Sequence, residues 1–135
     1  MRKTINKQSI SSGAKVGARP ALAAFFRIAE LWDLNVDQQI KLLGLSAPST
    51  FYHWRKSPPA ALPHDTLERV SYILGIYKAL QILFPDPGIA DGWIRKPNQT
   101  LIFRGRSALE RMLSGNVADL FVVRQYLDAQ RGGWA

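Results

Sequence analysis

VDQQIKLLGLSAPSTFYHWRK, residues 36–56, contains two short helical patterns separated by a turn that carries a glycine. Asn35 is a suitable N-cap for a first helix over 36–43, and Gly44 is a suitable residue to end it. Ser46 is a suitable cap for a second helix that continues to the end of the stretch. This succession is the sequence outline of a helix-turn-helix, the motif that lays its second helix in the DNA major groove.

The apolar residues of this stretch predict how the two helices pack. Phe51 and Trp54 lie three positions apart and therefore share one face of the second helix. They would lock against Ile40, Leu43 and Leu45. The opposite face carries hydroxyl groups that can reach bases and cations that suit phosphates. The candidate DNA-binding residues are Ser46, Ser49, Thr50, Tyr52, His53, Arg55 and Lys56. A purely structural helical hairpin is the alternative, because many helix pairs joined by such a turn bind no DNA.

The positive charge is concentrated at the start of the chain. The formal net charge is +8, and five of the 18 basic residues but none of the 10 acidic ones lie within residues 1–20. Serines and glycines accompany them, so we predict a flexible basic arm over 1–19 that can lie along a phosphate backbone. A solubilising tail is the alternative.

The rest of the sequence predicts helices. Pro20 suits a first helical position, and a long apolar pattern runs over 65–84. Ser107 and Glu110 are spaced for a capping box, and a last helix starts near Asn116. We expect an aperiodic segment over 86–104, with residues 100–103 as a short extended edge at most. The predicted fold is all-α, with a helix-turn-helix lobe over 20–62 (the N-terminal lobe) and a second helical lobe over 63–135 (the C-terminal lobe).

Composition excludes several classes of protein. Hydrophobic residues make up 47% and charged residues 21%, which is typical of globular domains rather than disordered chains. No cysteine is present, which excludes disulfides and suits a reducing cytosol, so we expect a cytoplasmic protein. No apolar run is long enough to span a membrane. His53 and His64 are the only histidines, and no metal-binding spacing, nucleophile elbow or phosphate-binding glycine loop accompanies them. We therefore expect no enzyme activity, no metal and no cofactor.

The C-terminal lobe closely resembles the toxin-binding domain of the Xre/MbcA/ParS antitoxins. A series of residues in fixed order carries the resemblance. The series comprises Arg69, residues 73–76, Leu80, Phe84, Trp93, Pro97, Asn98, Gly105, Arg106, Ser107, Leu109, Gly115, Leu120, Arg124, Tyr126, Leu127, Arg131, Gly132 and Gly133. For Trp93, Gly105, Leu109 and Gly115, maintenance of the fold is the simpler explanation. A helix-turn-helix usually precedes this domain, as it does here.

The resemblance implies an antitoxin of a type II toxin–antitoxin system. Such a protein caps a RES-family toxin that attacks NAD, and it binds the operator of its own operon. In the family the carboxy-terminal end of the antitoxin lies in or over the active-site cleft of the toxin. The implied partners are thus a RES-domain toxin and operator DNA. Whether the toxin degrades NAD or transfers ADP-ribose is left open.

The sequence ends in RGGWA, and we expect this tail to act as a plug. A buried Trp covers about 150–250 Å², worth roughly 4–6 kcal/mol gross at about 25 cal/mol/Å². Trp134 could enter a nucleotide cleft of the toxin, with the Ala135 carboxylate near its cations. A frayed terminus with an incidental Trp is the alternative. The candidate toxin-binding residues are Arg124, Arg131, Gly132, Gly133, Trp134 and Ala135.

Three points stay open at this level. Arg124 and Arg131 lie seven positions apart and share a helix face if the helix extends that far; they would pair either with acids of the toxin or with Asp128 and solvent. We expect a homodimer, because the long helix has apolar residues beyond one stripe: Ile73, Ile76, Ile82 and Leu83. In the alternative, the side of the long helix that carries these residues is buried between the two lobes. A stand-alone helix-turn-helix regulator with a dimerisation lobe, and an adaptor that has lost DNA binding, are the rival functions.

Overall fold

The computed structural model describes residues 17–132, and within them the chain is all-α, as predicted. The helices are α1 (Ala18–Leu31), α2 (Val36–Leu43), α3 (Pro48–Lys56), α4 (His64–Leu83), α5 (Pro87–Gly92), α6 (Ala108–Met112) and α7 (Val117–Gln130), with a 3-10 turn at Trp93–Arg95. None of them has the length and apolar character needed to cross a bilayer. The two-lobe helical layout is confirmed. Most of the predicted basic arm lies outside the described residues.

The long helix α4 is central to the packing, because both α1 and α7 pack against it. Val70, Ile73, Ile76 and Leu80 are fully buried in this position. The sequence predicted a dimer face that included Ile73 and Ile76, and this assignment is wrong because both residues fill the core of their own chain. Ile82, with 51% of its surface exposed, is the member of that set that stays accessible.

A single hydrophobic core joins the two lobes. It runs from Phe25 of α1 and Phe51 of α3, through α4, to Leu120 of α7. Because helices from both halves contribute to the same core, we expect the lobes to unfold together rather than as separate units.

Two arginines of the C-terminal lobe also bind backbone groups of neighbouring turns. Arg95 donates from Nη2 to the carbonyl oxygens of Trp32 and Asp33, at 2.6 and 2.7 Å, where α1 has ended. Arg69 donates to Asp65 and to the carbonyl oxygen of Gly115, at 2.9 and 3.0 Å. These carbonyls lie at or just beyond the end of α1 and in the turn before α7, so the contacts satisfy acceptors that no helix ladder reaches.

Three local predictions differ from the structure. Helix α1 begins at Ala18, two residues before Pro20. The segment expected to be aperiodic forms α5 and the 3-10 turn, which begin where Asp86 accepts a hydrogen bond from the Gly88 N–H at 2.9 Å. Residues 100–103 form a turn rather than an extended edge. Within residues 17–132, the strand-like pairing is one isolated bridge between Pro97 and Ser107.

Candidate functional site

The helix-turn-helix forms through local capping at both ends of α2. Asn35 accepts a hydrogen bond from the Gln38 N–H at 2.8 Å, and the Gln38 side chain accepts one from the Asn35 N–H at 2.9 Å. Gly44 ends the helix in the left-handed region, with φ at 72°. The N–H of Leu45 then reaches back to the carbonyl oxygen of Ile40 at 3.1 Å. This closure is the Schellman motif, and it fixes the direction in which the chain leaves α2.

Helix α3 has one buried face and one exposed face. Phe51 is fully buried and Trp54 is 7% exposed, so their side holds α3 against the core. The candidate DNA-binding residues lie on the remaining surface. Ser46, Ser49, Tyr52, His53, Arg55 and Lys56 are exposed, and Thr50 is half-buried. The structure therefore leaves this set available to a ligand, while its contact with DNA stays a prediction.

The start of α3 differs from the predicted cap. Ser46 does not cap the helix, because the N-cap position is Ala47 and Pro48 occupies the first turn. Ser46 lies one residue earlier, in the turn, so its hydroxyl is not committed to a cap in the described structure. Proline suits this site because it has no N–H that would need a partner.

Arg55 is held in place by aromatic rings. Its guanidinium carbon lies 5.0 Å from the centroid of Phe26 on α1 and 6.0 Å from that of Phe51. Cation–π contacts of this kind are worth about 0.5–1 kcal/mol at exposed sites. The guanidinium is thus oriented before any ligand arrives, which lowers the entropy cost of a phosphate contact. The sequence predicted the cation but not the ring beneath it, because Phe26 is distant along the chain.

The predicted toxin-binding arginines meet at one carboxylate. Arg124 donates from Nε to Asp128 at 3.1 Å, and Arg131 Nη1 lies 3.7 Å from the other oxygen of Asp128. The Arg124 guanidinium also lies against Gly75 of α4, so closely that a Cβ at position 75 would collide with it. Of the two pairings left open, the structure contains the one with Asp128. Contact of either arginine with a toxin stays a prediction.

The tail begins where α7 ends. Helix α7 stops at Gln130, Arg131 is its C-cap, and Gly132 takes a left-handed conformation with φ at 100°. Such a glycine turns the chain away from the helix axis. The rest of the predicted plug, Gly133, Trp134 and Ala135, lies outside the described residues.

A basic cleft beside the loop over 97–107 was not predicted from the sequence. Its volume is about 430 Å³, and it is lined by Ile102, Phe103, Arg104, Arg106, Ser107, Glu110, Arg111 and Ser114. Arg104 has φ at 52°, in the left-handed region, directly before Gly105 at 85°. The motif Gly105-Arg106-Ser107 pointed to this loop, but no sequence pattern indicated the left-handed conformation of Arg104.

Two carboxylates beside this cleft, those of Asp119 and Glu110, are held by hydrogen bonds. Asp119 receives hydrogen bonds from Ser114 and Arg111, and these bonds hold the pKa of its carboxyl below the usual range despite partial burial. Glu110 accepts from the Ser107 N–H at 3.0 Å, as the predicted capping box requires. Across residues 17–132, no group of three or more His, Asp or Glu side chains is placed to hold a metal ion.

Comparison with known proteins covers both lobes. The model of the antitoxin Xre-like helix-turn-helix domain matches residues 13–75, and that of the antitoxin Xre/MbcA/ParS C-terminal toxin-binding domain matches residues 79–133. The uncharacterized protein y4oB of Sinorhizobium fredii (strain NBRC 101917 / NGR234) is 56% identical over 123 residues, which cover 91% of this chain and 92% of that protein. No solved structure matches.

Proposed function

This chain belongs to the Xre/MbcA/ParS antitoxins, and on that premise we propose that it neutralises a RES-family, NAD-consuming toxin and represses its own operon. The family membership implies a toxin as one partner and DNA as the other. What we propose beyond family membership is the identity of the toxin, the reaction that it catalyses and the way in which its active site is blocked. One observation carries the proposal: the toxin-binding domain match extends to residue 133, through the segment that leads into the tail.

Inhibition in this proposal requires no chemistry from the antitoxin. The C-terminal lobe and its tail cover the active site of the toxin, with Arg131, Gly132, Gly133, Trp134 and Ala135 inside or over the cleft. The left-handed Gly132 supports this, because it directs the chain away from α7. A large aromatic side chain beyond a flexible pair of glycines can fill a flat pocket and contribute as an interface hot spot. The antitoxin therefore acts by occlusion and not as an enzyme.

Operator binding in this proposal uses the exposed face of α3. That face presents hydroxyl and imidazole groups together with two cations, and Arg55 is already oriented by Phe26. Phosphate contacts dominate affinity for DNA and make it salt-dependent. We propose that the protein binds as a homodimer, because two helix-turn-helix units would read two half-sites.

Co-expression with the product of the adjacent reading frame tests the proposal. We expect the neighbour alone to arrest growth and lower cellular NAD, and we expect this protein to restore both and to co-purify with it. Light scattering of the purified chain would give the mass of a dimer. A neighbour that is harmless, and does not co-purify, would instead favour the stand-alone regulator.

DNA binding is tested separately, by fluorescence anisotropy with the promoter fragment across a series of salt concentrations. We expect binding that weakens as the salt concentration rises. Neutralisation of the toxin without salt-sensitive binding of the promoter would favour the adaptor that has lost its DNA contact.

A further inference from the structure

The cleft beside the loop over 97–107 carries positive charge that nothing in the described structure neutralises. Three arginines and one carboxylate line it. Arg111 is committed to Asp119 and to the carbonyl oxygen of Ile102, at 2.9 and 2.7 Å, and Glu110 is committed to the capping box. Within residues 17–132, the guanidinium groups of Arg104 and Arg106 make no hydrogen bond or ion pair, and both residues are exposed.

The loop that carries these two arginines is held together by hydrogen bonds. The Asn98 N–H donates to the carbonyl oxygen of Arg106 at 3.0 Å, and the Gly105 N–H donates to that of Asn98 at 2.8 Å. The Asn98 side chain accepts hydrogen bonds from both the N–H and the hydroxyl of Thr100. Arginines on a hydrogen-bonded loop of this kind lose less conformational entropy on binding than arginines on a mobile loop.

Arg104 adopts a left-handed backbone conformation, which residues with a Cβ adopt rarely. A left-handed conformation costs a residue with a Cβ more than it costs glycine, and glycine occupies the next position in the same region. Residues held in this way cluster at binding sites, where the surrounding structure supports the conformation. The cost is easier to understand if the guanidinium of Arg104 has a ligand.

The walls of the cleft identify the kind of ligand. Ile102, which is half-buried, and Phe103, which is buried, contribute the apolar lining, and the Phe103 ring packs against Tyr126 with their centroids 5.4 Å apart. Tyr126 belongs to α7, the helix that ends at Gln130, directly before Arg131 and the tail. A cleft with apolar lining and two guanidinium groups that are unpaired within residues 17–132 suits carboxylates on a folded or extended peptide segment. The phosphate backbone of DNA would leave the apolar lining without a contact, so a peptide segment fits the cleft better.

We propose that this cleft, with Arg104 and Arg106 as its charged groups, binds an acidic segment of the toxin. This inference rests on the proposed function and names a second contact beside the tail. The cleft lies against α7 through Phe103 and Tyr126, and the tail follows the end of the same helix in sequence, so a toxin that covers the tail could reach the cleft as well. Arg–carboxylate pairs are often bidentate, which gives such a contact direction as well as charge.

The test measures binding of the purified adjacent gene product to the full chain and to the double variant Arg104→Ala/Arg106→Ala. We expect roughly 10- to 100-fold weaker binding at low salt, since charge-assisted contacts are lost, and a smaller difference at high salt. The control is Arg27→Ala/Lys78→Ala, which removes the same charge from exposed sites elsewhere and is expected to bind within about two-fold of the wild type.

A second variant separates binding from folding. Arg104→Gly removes the guanidinium and relieves the backbone, so we expect an unchanged or higher Tm together with weaker toxin binding. Toxin affinity in this variant equal to that of the wild type would contradict the role of Arg104.

The remaining outcomes distinguish the two proposals. If the wild type binds the toxin and the double variant binds it equally well, the cleft proposal falls while the proposed function stands. If the wild type itself does not bind the toxin, both fall. If the double variant keeps the toxin but loses the promoter fragment, the cleft is a DNA contact and the proposal is overturned.

Discussion

The Arg69 side chain lies directly over Gly44, the residue that ends the first helix of the helix-turn-helix. A Cβ built at position 44 would lie 2.5 Å from Arg69 Nε and 2.8 Å from its Cδ. The same guanidinium donates to the carbonyl oxygen of Gly115, at the turn between α6 and α7. One side chain therefore fixes the turn of the N-terminal lobe relative to a turn of the C-terminal lobe.

Alanine substitution is expected to be costly at position 44. Gly44→Ala forces a Cβ into the left-handed region, at about 1 kcal/mol, and displaces an arginine that is only 11% exposed. Loss of its hydrogen bonds adds about 1–2 kcal/mol. We expect the free energy of unfolding to fall by about 2–3 kcal/mol, measured by urea denaturation.

Gly75→Ala is the matched control, because Gly75 also lies beneath an arginine. Replacing a glycine inside a helix by alanine stabilises the helix by about 1 kcal/mol. The new Cβ would displace the Arg124 side chain, which is 35% exposed and can move away, so the cost is an ion pair worth about 0.3–0.5 kcal/mol. We expect the stability to stay within about 1 kcal/mol of the wild type. Equal destabilisation of the two variants would contradict the difference in mobility between Arg69 and Arg124.

The capping box at the start of α6 gives a second prediction. Ser107→Ala removes the oxygen that accepts from the Glu110 N–H at 3.1 Å, and it should lower the stability by about 1 kcal/mol. Glu110→Gln keeps an oxygen for the Ser107 N–H, so we expect a smaller change, visible as a Tm close to that of the wild type. A larger loss of stability for Glu110→Gln than for Ser107→Ala would show that the negative charge of Glu110, and not the Ser107 hydroxyl, contributes most of the stabilisation.

Asp119 predicts a dependence of stability on pH. Its folded pKa lies below the ordinary 3.8 because Ser114 and Arg111 bond to the charged form. The unfolded chain therefore binds the proton first as the pH falls, and the contribution to stability is complete above the unfolded pKa and lost as the pH drops through the folded pKa. Asp119→Asn should be less stable than the wild type at pH 6, and the gap should narrow below pH 4. A gap that stays constant down to the lowest pH at which the chain folds would contradict this assignment.

Local signals explain which parts of the fold could be predicted. Helix α2 was predicted with its exact bounds because Asn35 and Gly44 lie next to the residues that they cap. The capping box of α6 was predicted for the same reason. The segment over 86–104 was missed because α5 and the 3-10 turn are too short to show a period. Its turns depend on partners outside the segment, such as the bond from Arg95 to Trp32, which joins residues 63 positions apart.

The candidate sites also divide into features that neighbouring residues determine and features that only the folded chain determines. The exposed face of α3 could be predicted because Phe51 and Trp54 identify its buried side, and both are buried in the structure. The cleft could not be predicted, since its charge depends on which arginines are already paired. Arg111 is paired, whereas Arg104 and Arg106 have no partner among residues 17–132, and only the folded structure distinguishes them.

The role of α3 in DNA binding predicts a change in salt dependence. Lys56→Gln removes one exposed cation near the end of the helix and should lower the slope of log K against log salt by about 0.9. Lys78→Gln is the matched control, because Lys78 is an exposed lysine on α4, and it should leave the slope unchanged. Equal slopes for both variants, measured by anisotropy with the promoter fragment, would argue against a phosphate contact at Lys56.

Removal of the tail predicts a loss of inhibition without a loss of fold. A chain truncated after Gln130 keeps all of α7 and the Arg124–Asp128 pair, so its Tm should stay close to that of the full chain. If Trp134 fills the toxin cleft, the truncated chain and Trp134→Ala should both inhibit the toxin more weakly, by up to the several kcal/mol that a buried Trp contributes. The measurement is the NAD consumption rate of the toxin at increasing antitoxin concentration. Neutralisation by the truncated chain equal to that of the full protein would leave the lobe itself, including the basic cleft, as the inhibitory surface.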